Sequence, residues 1–243
     1  VTGIAIVTGG AGALGAAIVR ELVSRGCETV IAFRSNEDAA KRLQDELGTD
    51  LTHLVKADLS DRSAAEQIVT SATERFGVPT ILVNNAGVMT ESLVQDMADD
   101  IWDDLIDVNL SSAFRMSRAV IPGMIAAGSG RIINISSQAA YRGSVGRAHY
   151  AAAKAGLLGL TFSLAKELGP SAITVNVVVP GRIESEMVSS RMDGKVEQWL
   201  DSTPLGRLGT PQELASAVGY LTSPEASYIT GAVLQVGGGL VMG

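Results

Sequence analysis

Residues 3–15 read GIAIVTGGAGALG. The uncharged, mostly β-branched run Ile4 to Thr8 has the composition of a short buried strand, and the glycines behind it end that strand at once. From residue 13 the apolar spacing changes to the three- and four-residue period of a helix, which runs to residue 25 and stops at Gly26. A strand, a glycine-rich turn and a helix in direct succession are the first half of a βαβ unit. Gly10, Gly12 and Gly15 fit G-x-G-x-x-G in that turn, where bare N–H groups at a helix start can approach a pyrophosphate. The same glycines also fit a plain tight connection.

The alternation continues along the chain. Strands are predicted at TVIAF (29–33), LTHLVKAD (51–58), PTILVNNAG (79–87), GRIINIS (130–136), ITVNVVVPG (173–181) and AVLQVGG (232–238). Helices are predicted over 37–47, 61–77, 97–127, 150–168 and 211–223, with Gly169-Pro170 stopping the fourth. Seven strands in this rhythm imply one domain over 1–243, a doubly wound, seven-stranded parallel sheet of Rossmann type with helices on both faces. Ligands of such sheets bind at the strands' C-terminal ends, which here carry TGGAGALG, FRSN, ADLSD, NNAG, SSQ and PGRIESEM.

Bulk properties narrow the function. Of 243 residues 46% are hydrophobic, enough for a buried sheet, and the net charge of -7 without a Lys/Arg cluster argues against nucleic-acid or anionic-membrane binding. Cys27 is the single cysteine, so no internal disulfide forms. Neither a signal sequence nor a bilayer-spanning run is evident, and a cytoplasmic protein is expected. His53 and His149 lack companions at metal-ligand spacing and read as surface or packing residues, so no metal is expected. A serine hydrolase would need a G-x-S-x-G elbow, which this sequence does not contain.

The end of the second strand refines the nucleotide. An acidic residue there would hold the 2'-hydroxyl of NAD, whereas arginine can neutralise the 2'-phosphate of NADP. Phe33-Arg34-Ser35 carries no carboxylate, which favours NADP(H), with NAD(H) as the lesser alternative. A solvated loop arginine is the competing reading of Arg34.

Two polar residues stand in an alanine-rich helix, HYAAAKAG at 149–156. Tyr150 and Lys154 are one turn apart and share a face. A phenol is an adequate acid, and a cation about 4 Å away interacts with its anion by roughly 4 kcal/mol at an effective dielectric of 20, enough to lower its pKa by two or three units at about 1.36 kcal/mol each. On the long helix, Trp102, Leu105, Ile106, Ala113, Met116 and Val120 form an apolar stripe with Asn109 in its middle, where a buried amide must find partners.

With the glycine turn, NNAG and the Tyr150/Lys154 pair, the chain resembles the short-chain dehydrogenase/reductase family nearly end to end. In that family's T-G-x-x-x-G-x-G motif, Thr8, Gly9 and Gly15 match, while Ala13 occupies the middle glycine and Gly12 stands beside it. The resemblance implies a cofactor site built from Gly9, Gly12, Leu14, Gly15, Arg34, Ser35, Asp58, Leu59, Asn85, Ala86, Gly87, Tyr150, Lys154, Pro180, Gly181, Ile183 and Ser185, the last standing where threonine is usual. Asp58 would meet the adenine, residues 85–87 the ribose, and Pro180 to Ser185 the nicotinamide. It also implies Tyr150 as proton donor, Lys154 as its tuner and a ribose ligand, Ser137 as the hydroxyl on the substrate carbonyl, and Asn109 as holder of a relay water. Strand alternation sends Ser136 and Ser137 to opposite faces, and the motif's spacing selects Ser137.

Within the family the strands GRIINISS and ITVNVVVPG and the C-terminal stretch look most like 3-oxoacyl-[acyl-carrier-protein] reductases of fatty-acid synthesis. The expected function is therefore NADPH-dependent reduction of a ketone to a secondary alcohol, with an acyl thioester, or acyl carrier protein itself, as partner. One departure stands: the segment before the fifth strand, MIAAGSGR, has Arg131 as its one basic residue, where carrier-protein reductases often have several. A general carbonyl, alcohol or sugar dehydrogenase and a catalytically silent NADP-binding regulator are the alternatives. Small residues Ala152, Ala155, Gly156, Gly159 and Ser163 permit close helix approach, and the family implies a homotetramer built on this helix and its long neighbour. A substrate-covering segment is expected over about 184–203.

Overall fold

The first strand, β1 (Ile4–Thr8), alternates as a two-sided buried strand should: Ala5 and Val7 enter one hydrophobic layer and Ile6 the other. The structure is a computed structural model and describes residues 3–184 and 200–242. Six further strands follow, β2 (Glu28–Phe33), β3 (Thr52–Lys56), β4 (Ile81–Asn84), β5 (Gly130–Ile135), β6 (Ile173–Pro180) and β7 (Val233–Val236). All pair in parallel in the order β3-β2-β1-β4-β5-β6-β7. The predicted doubly wound sheet is the observed one.

Helices α1 (Ala13–Ser24), α2 (Glu37–Leu47) and α8 (Pro211–Thr222) cover the face carrying Val7, Ile31 and Val83. Helices α3 (Ala64–Arg75), α5 (Ser112–Ala127) and α7 (Ala148–Leu168) cover the face carrying Ile6, Leu82 and Ile132. A one-turn helix, α6 (Ala139–Arg142), precedes α7. The chain changes winding direction between β1 and β4, so the loops leaving these two strands diverge and open a crevice at their C-terminal ends.

Two elements differ from expectation. The helix predicted over 97–127 is α4 (Asp99–Ile106) and α5 joined by a π-helical turn, Asp107–Ser111. The stripe is buried from Leu105 through Ala113 and Met116 to Val120, but Trp102, in the exposed first turn of α4, is 40% exposed. Helix α7, which carries Tyr150 and Lys154, also begins two residues early, at Ala148.

Inside the sheet, Asn84 and Asn134 are register partners on adjacent strands, and their side chains bond at 2.9 Å. Asn134 donates onward to Thr161 of α7, and Asn84 to Ser117 of α5. This chain of buried amide bonds ties both helices to the C-terminal half of the sheet, although Asn84 Oδ1 itself is buried without a partner among the described residues.

Candidate active site

Two clefts of about 620 and 470 Å3 meet at the crevice, sharing Leu14, Asn85, Gly87 and Val88 as a common wall. The larger is lined by Gly9, Gly12, Gly15, Arg34, Ser35, Asp58, Leu59 and Ala86. The smaller is lined by Ser137, Tyr150, Lys154, Pro180, Gly181 and Ile183. Asn109 lies behind Gly87 rather than on the cleft surface. Ser185 falls outside the described residues, as does most of the predicted 184–203 cover.

The glycines of the first turn divide by function. Gly9 has φ +64, and a Cβ on Gly15 would fall 2.2 Å from the Gly9 carbonyl oxygen, so the turn itself requires both. Gly12 has an ordinary extended backbone (φ -80, ψ 167), and a Cβ there would meet nothing nearer than 3.5 Å. Its bareness serves open space in the cleft. Gly12 caps α1, whose first turn has no side-chain cap and no acidic residue, so N–H groups face the cleft with the positive end of the helix dipole. These residues fit the pyrophosphate of a dinucleotide.

The turn is welded to β4. Thr8 Oγ1 accepts from the backbone N–H of Asn85 (3.0 Å) and Ala86 (3.1 Å), and the Asn85 amide donates to the carbonyls of Thr8 (2.9 Å) and Gly9 (3.2 Å). Asn85 thus spends its side-chain donor on holding the glycine turn, while its backbone borders the cleft.

At the far end, Asp58 Oδ1 accepts from the N–H and hydroxyl of Ser60. Those bonds, with a smaller contribution from Arg34, hold its carboxyl below the usual range. Arg42 of α2 joins Arg34 on this wall, a second cation that the search at the strand end overlooked. Its signal was a position two turns into the following helix. Buried Arg115 was also overlooked: it grips Asp107 of the π-turn through two bonds (2.8 and 2.9 Å) and donates to the Leu59 carbonyl at 2.8 Å. It couples the Asp58–Leu59 end of the crevice to the turn that carries Asn109.

In the smaller cleft, Lys154 is buried, donates to the Ile135 carbonyl at 2.9 Å, and sits 5.8 Å from the centre of the Tyr150 ring. Burial pushes its pKa from 10.5 down to about 8, which still leaves it mostly charged at neutral pH. Asn109 donates to Val88 and Leu105 carbonyls, both at 3.0 Å, and its buried Oδ1 has no partner among the described residues. That oxygen aims at the gap beside Gly87, where a Cβ would lie 2.7 Å from it and 3.4 Å from Lys154 Nζ. The gap is the place a bridging water requires. Ser136 Oγ is spent on the Lys154 carbonyl at 2.7 Å, while Ser137 Oγ accepts from Ala139 N–H and borders the cleft. His149 is a packing residue as expected, buried with Nε2 2.9 Å from Thr90 Oγ1, and His53 pairs with Ser71.

The two clefts, the bare helix start and the Ser/Tyr/Lys cluster define a dinucleotide-dependent oxidoreductase site, and the sequence comparison gives the same class. Residues 9–241 match the model of a family described as enoyl-(acyl carrier protein) reductase. The chain belongs to the short-chain dehydrogenase/reductase family and is a nicotinamide-dependent oxidoreductase acting on carbonyl or alcohol groups. Among its relatives is 3-oxoacyl-[acyl-carrier-protein] reductase FabG of Salmonella typhimurium, 46% identical over 239 residues, or 98% of this chain and 97% of that protein. The enzyme of the same name from Escherichia coli is 44% identical over the same shares. Among solved structures, a Serratia marcescens short-chain dehydrogenase/reductase variant superposes with a TM-score of 0.92 at 39% identity, covering 98% of this chain and 97% of that one. No described helix is long and apolar enough to cross a membrane.

Proposed function

We propose that this chain is an NADPH-dependent ketoreductase resembling the 3-oxoacyl-thioester reductases among its relatives, with Tyr150 as proton donor. The observation that carries the reading is the meeting of Ser137, Tyr150 and Lys154 in one cleft wall, backed by the Asn109 oxygen aimed at the gap beside Lys154. When bound, the reduced nicotinamide supplies a hydride to the carbonyl carbon. Ser137 donates a hydrogen bond to the carbonyl oxygen and Tyr150 gives it a proton. Lys154, charged beside the ring, stabilises the phenolate left behind, and the Asn109 gap lets a water return the proton. Arg34 and Arg42 together hold the 2'-phosphate, Gly12 and the start of α1 the pyrophosphate, and Lys154 the ribose.

The names of the relatives support an acyl carrier protein or another acyl thioester as partner, although the segment before β5 offers it no basic patch. Arg131, the one cation there, is partly buried and bonded to its neighbour's carbonyl. The thioester arm is therefore the part of such a substrate that this surface suits. A tetramer is supported by the outer face of α7, which exposes Ala152, Ala155, Gly159 and Phe162, whereas Gly156 is used inside the chain, its missing Cβ making room for Leu110.

The test follows nicotinamide absorbance with NADPH and NADH against acetoacetyl thioesters, simple ketones and sugars, using wild type, Tyr150→Phe and Arg34→Ala. Turnover that Tyr150→Phe abolishes is expected, with Arg34→Ala weakening NADPH about tenfold or more and NADH far less. Equal losses for both cofactors would refute the phosphate role, and an active Tyr150→Phe would refute the proton donor.

A further inference from the structure

Resting on the reductase reading, one buried charge that lines neither cleft has a role in the reaction. Arg115 of α5 is 8% exposed, and a guanidinium is tolerated at that depth only where its donors are taken. Its nitrogens grip the Asp107 carboxylate at 2.8 and 2.9 Å, and Nη2 also donates to the Leu59 carbonyl at 2.8 Å. Asp107 stands eight residues nearer the start of the helix, about 12 Å along its axis. The Arg115 side chain therefore lies back along the π-turn rather than away from it.

What this side chain holds belongs to the site on both sides. Leu59, and Val108 of the π-turn, both line the larger cleft. Asn109 comes next in the turn, its amide donors spent on the Val88 and Leu105 carbonyls and its Oδ1 facing the gap between Gly87 and Lys154. One guanidinium thus spans the loop after β3 and the turn that carries both Val108 and Asn109. A two-pronged, charge-assisted grip on a carboxylate fixes orientation as well as distance, which a single lysine ammonium does not.

We infer that Arg115 is a positioning residue of the reductase: through Asp107 it sets the place of the Asn109 oxygen beside Lys154, and through Leu59 it sets the facing wall of the cofactor cleft. It touches neither substrate nor cofactor. Its effect on turnover passes through Asn109, and its effect on cofactor affinity passes through the distance between Leu59 and Val108.

A double-mutant comparison separates this from a merely structural role. Arg115→Gln is made alone and together with Asn109→Ala, with kcat and KM measured for acetoacetyl-CoA and the Kd of NADPH by titration calorimetry. Arg115→Gln alone should cut kcat about tenfold and leave KM within about twofold, because the misplaced group acts on the proton and not on binding of the carbonyl. It should also raise the Kd of NADPH about fivefold, and Arg115→Lys should recover part of both losses. In the Asn109→Ala background, Arg115→Gln should lower kcat by less than about twofold more while still raising the Kd about fivefold. Should Arg115→Gln fail to fold, Asp107→Asn makes the same comparison: it keeps the shape of the side chain and one acceptor, at a position one-third exposed, and loses the two-pronged grip. The same split, at smaller losses, is expected of it. A full tenfold loss of kcat on top of Asn109→Ala, an unchanged kcat in the single variants, or an unmoved Kd for NADPH would each overturn the inference. Wild type that turns over no carbonyl or alcohol would instead overturn the reductase reading and the Asn109 half that rests on it, and the NADPH titrations would still decide the Leu59 half.

Discussion

Replacing Lys154 by methionine should make the protein more stable while destroying its activity. The ammonium is buried, donates to the Ile135 carbonyl, and its pKa has fallen from 10.5 to about 8. At about 1.4 kcal/mol per pH unit, carrying the charge into the fold costs the cofactor-free protein about 3 kcal/mol at pH 7. Methionine fills similar volume without charge, and leaves the Ile135 carbonyl without this donor at a cost of about 1 kcal/mol. The net gain is about 2 kcal/mol, or about 4 to 8 °C in Tm for a chain of this size. The sign with pH is also fixed. Between the folded pKa near 8 and the unfolded one near 10.5, the unfolded chain keeps a proton the folded protein has released. Wild-type stability therefore rises with pH through that window, and the cost of the charge falls to about 2 kcal/mol at pH 9. Thermal unfolding of both proteins at pH 7 and pH 9 measures this directly, with turnover expected to fall by at least about a hundredfold in the variant. A variant no more stable than wild type at pH 7, or an advantage that does not shrink by pH 9, would refute the claim that burial sets this lysine's pKa.

Two glycine substitutions in one turn should separate folding from binding. Gly15→Ala forces a methyl to within 2.2 Å of the Gly9 carbonyl oxygen and should lower stability by about 3 kcal/mol or more. Gly12→Ala should leave Tm within about 2 °C but weaken NADPH binding about tenfold, read by calorimetry, because its methyl enters only the cleft. At the relay, Gly87→Ala and Asn109→Ala should both cut turnover about tenfold or more while NADPH binding persists, the first by filling the gap and the second by removing its oxygen. Unchanged turnover in either would count against a water there.

The dependence of these sites on one another explains which parts were legible. Strands β1, β4 and β6 could be read because both of their faces are buried, and that leaves uncharged, largely β-branched runs that few other environments tolerate; β5 keeps such a run in Ile132–Ile135, after Arg131 at its start. Tyr150 and Lys154 could be read because two polar residues one turn apart stand out in an alanine-rich helix, whereas Ser137 was told from Ser136 only by the spacing of the family's motif. The π-turn could not, since its signature is a single residue of register: DVNLS has nothing in its composition that marks it off from the helices on either side. Nor could Arg115, whose partners Asp107 and Leu59 are respectively 8 and 56 residues away. Yet these two hidden features account for Asn109. A regular helix would run its carbonyls and side chains past the sheet at an even pitch. The extra residue at 107–111 breaks that pitch where Asn109 must meet Val88 and Leu105 carbonyls and still present Oδ1 to the gap beside Gly87. Arg115 then holds the distorted turn by its Asp107 carboxylate. The irregular turn therefore lies where Asn109 caps two carbonyls and its remaining oxygen faces the gap between Gly87 and Lys154.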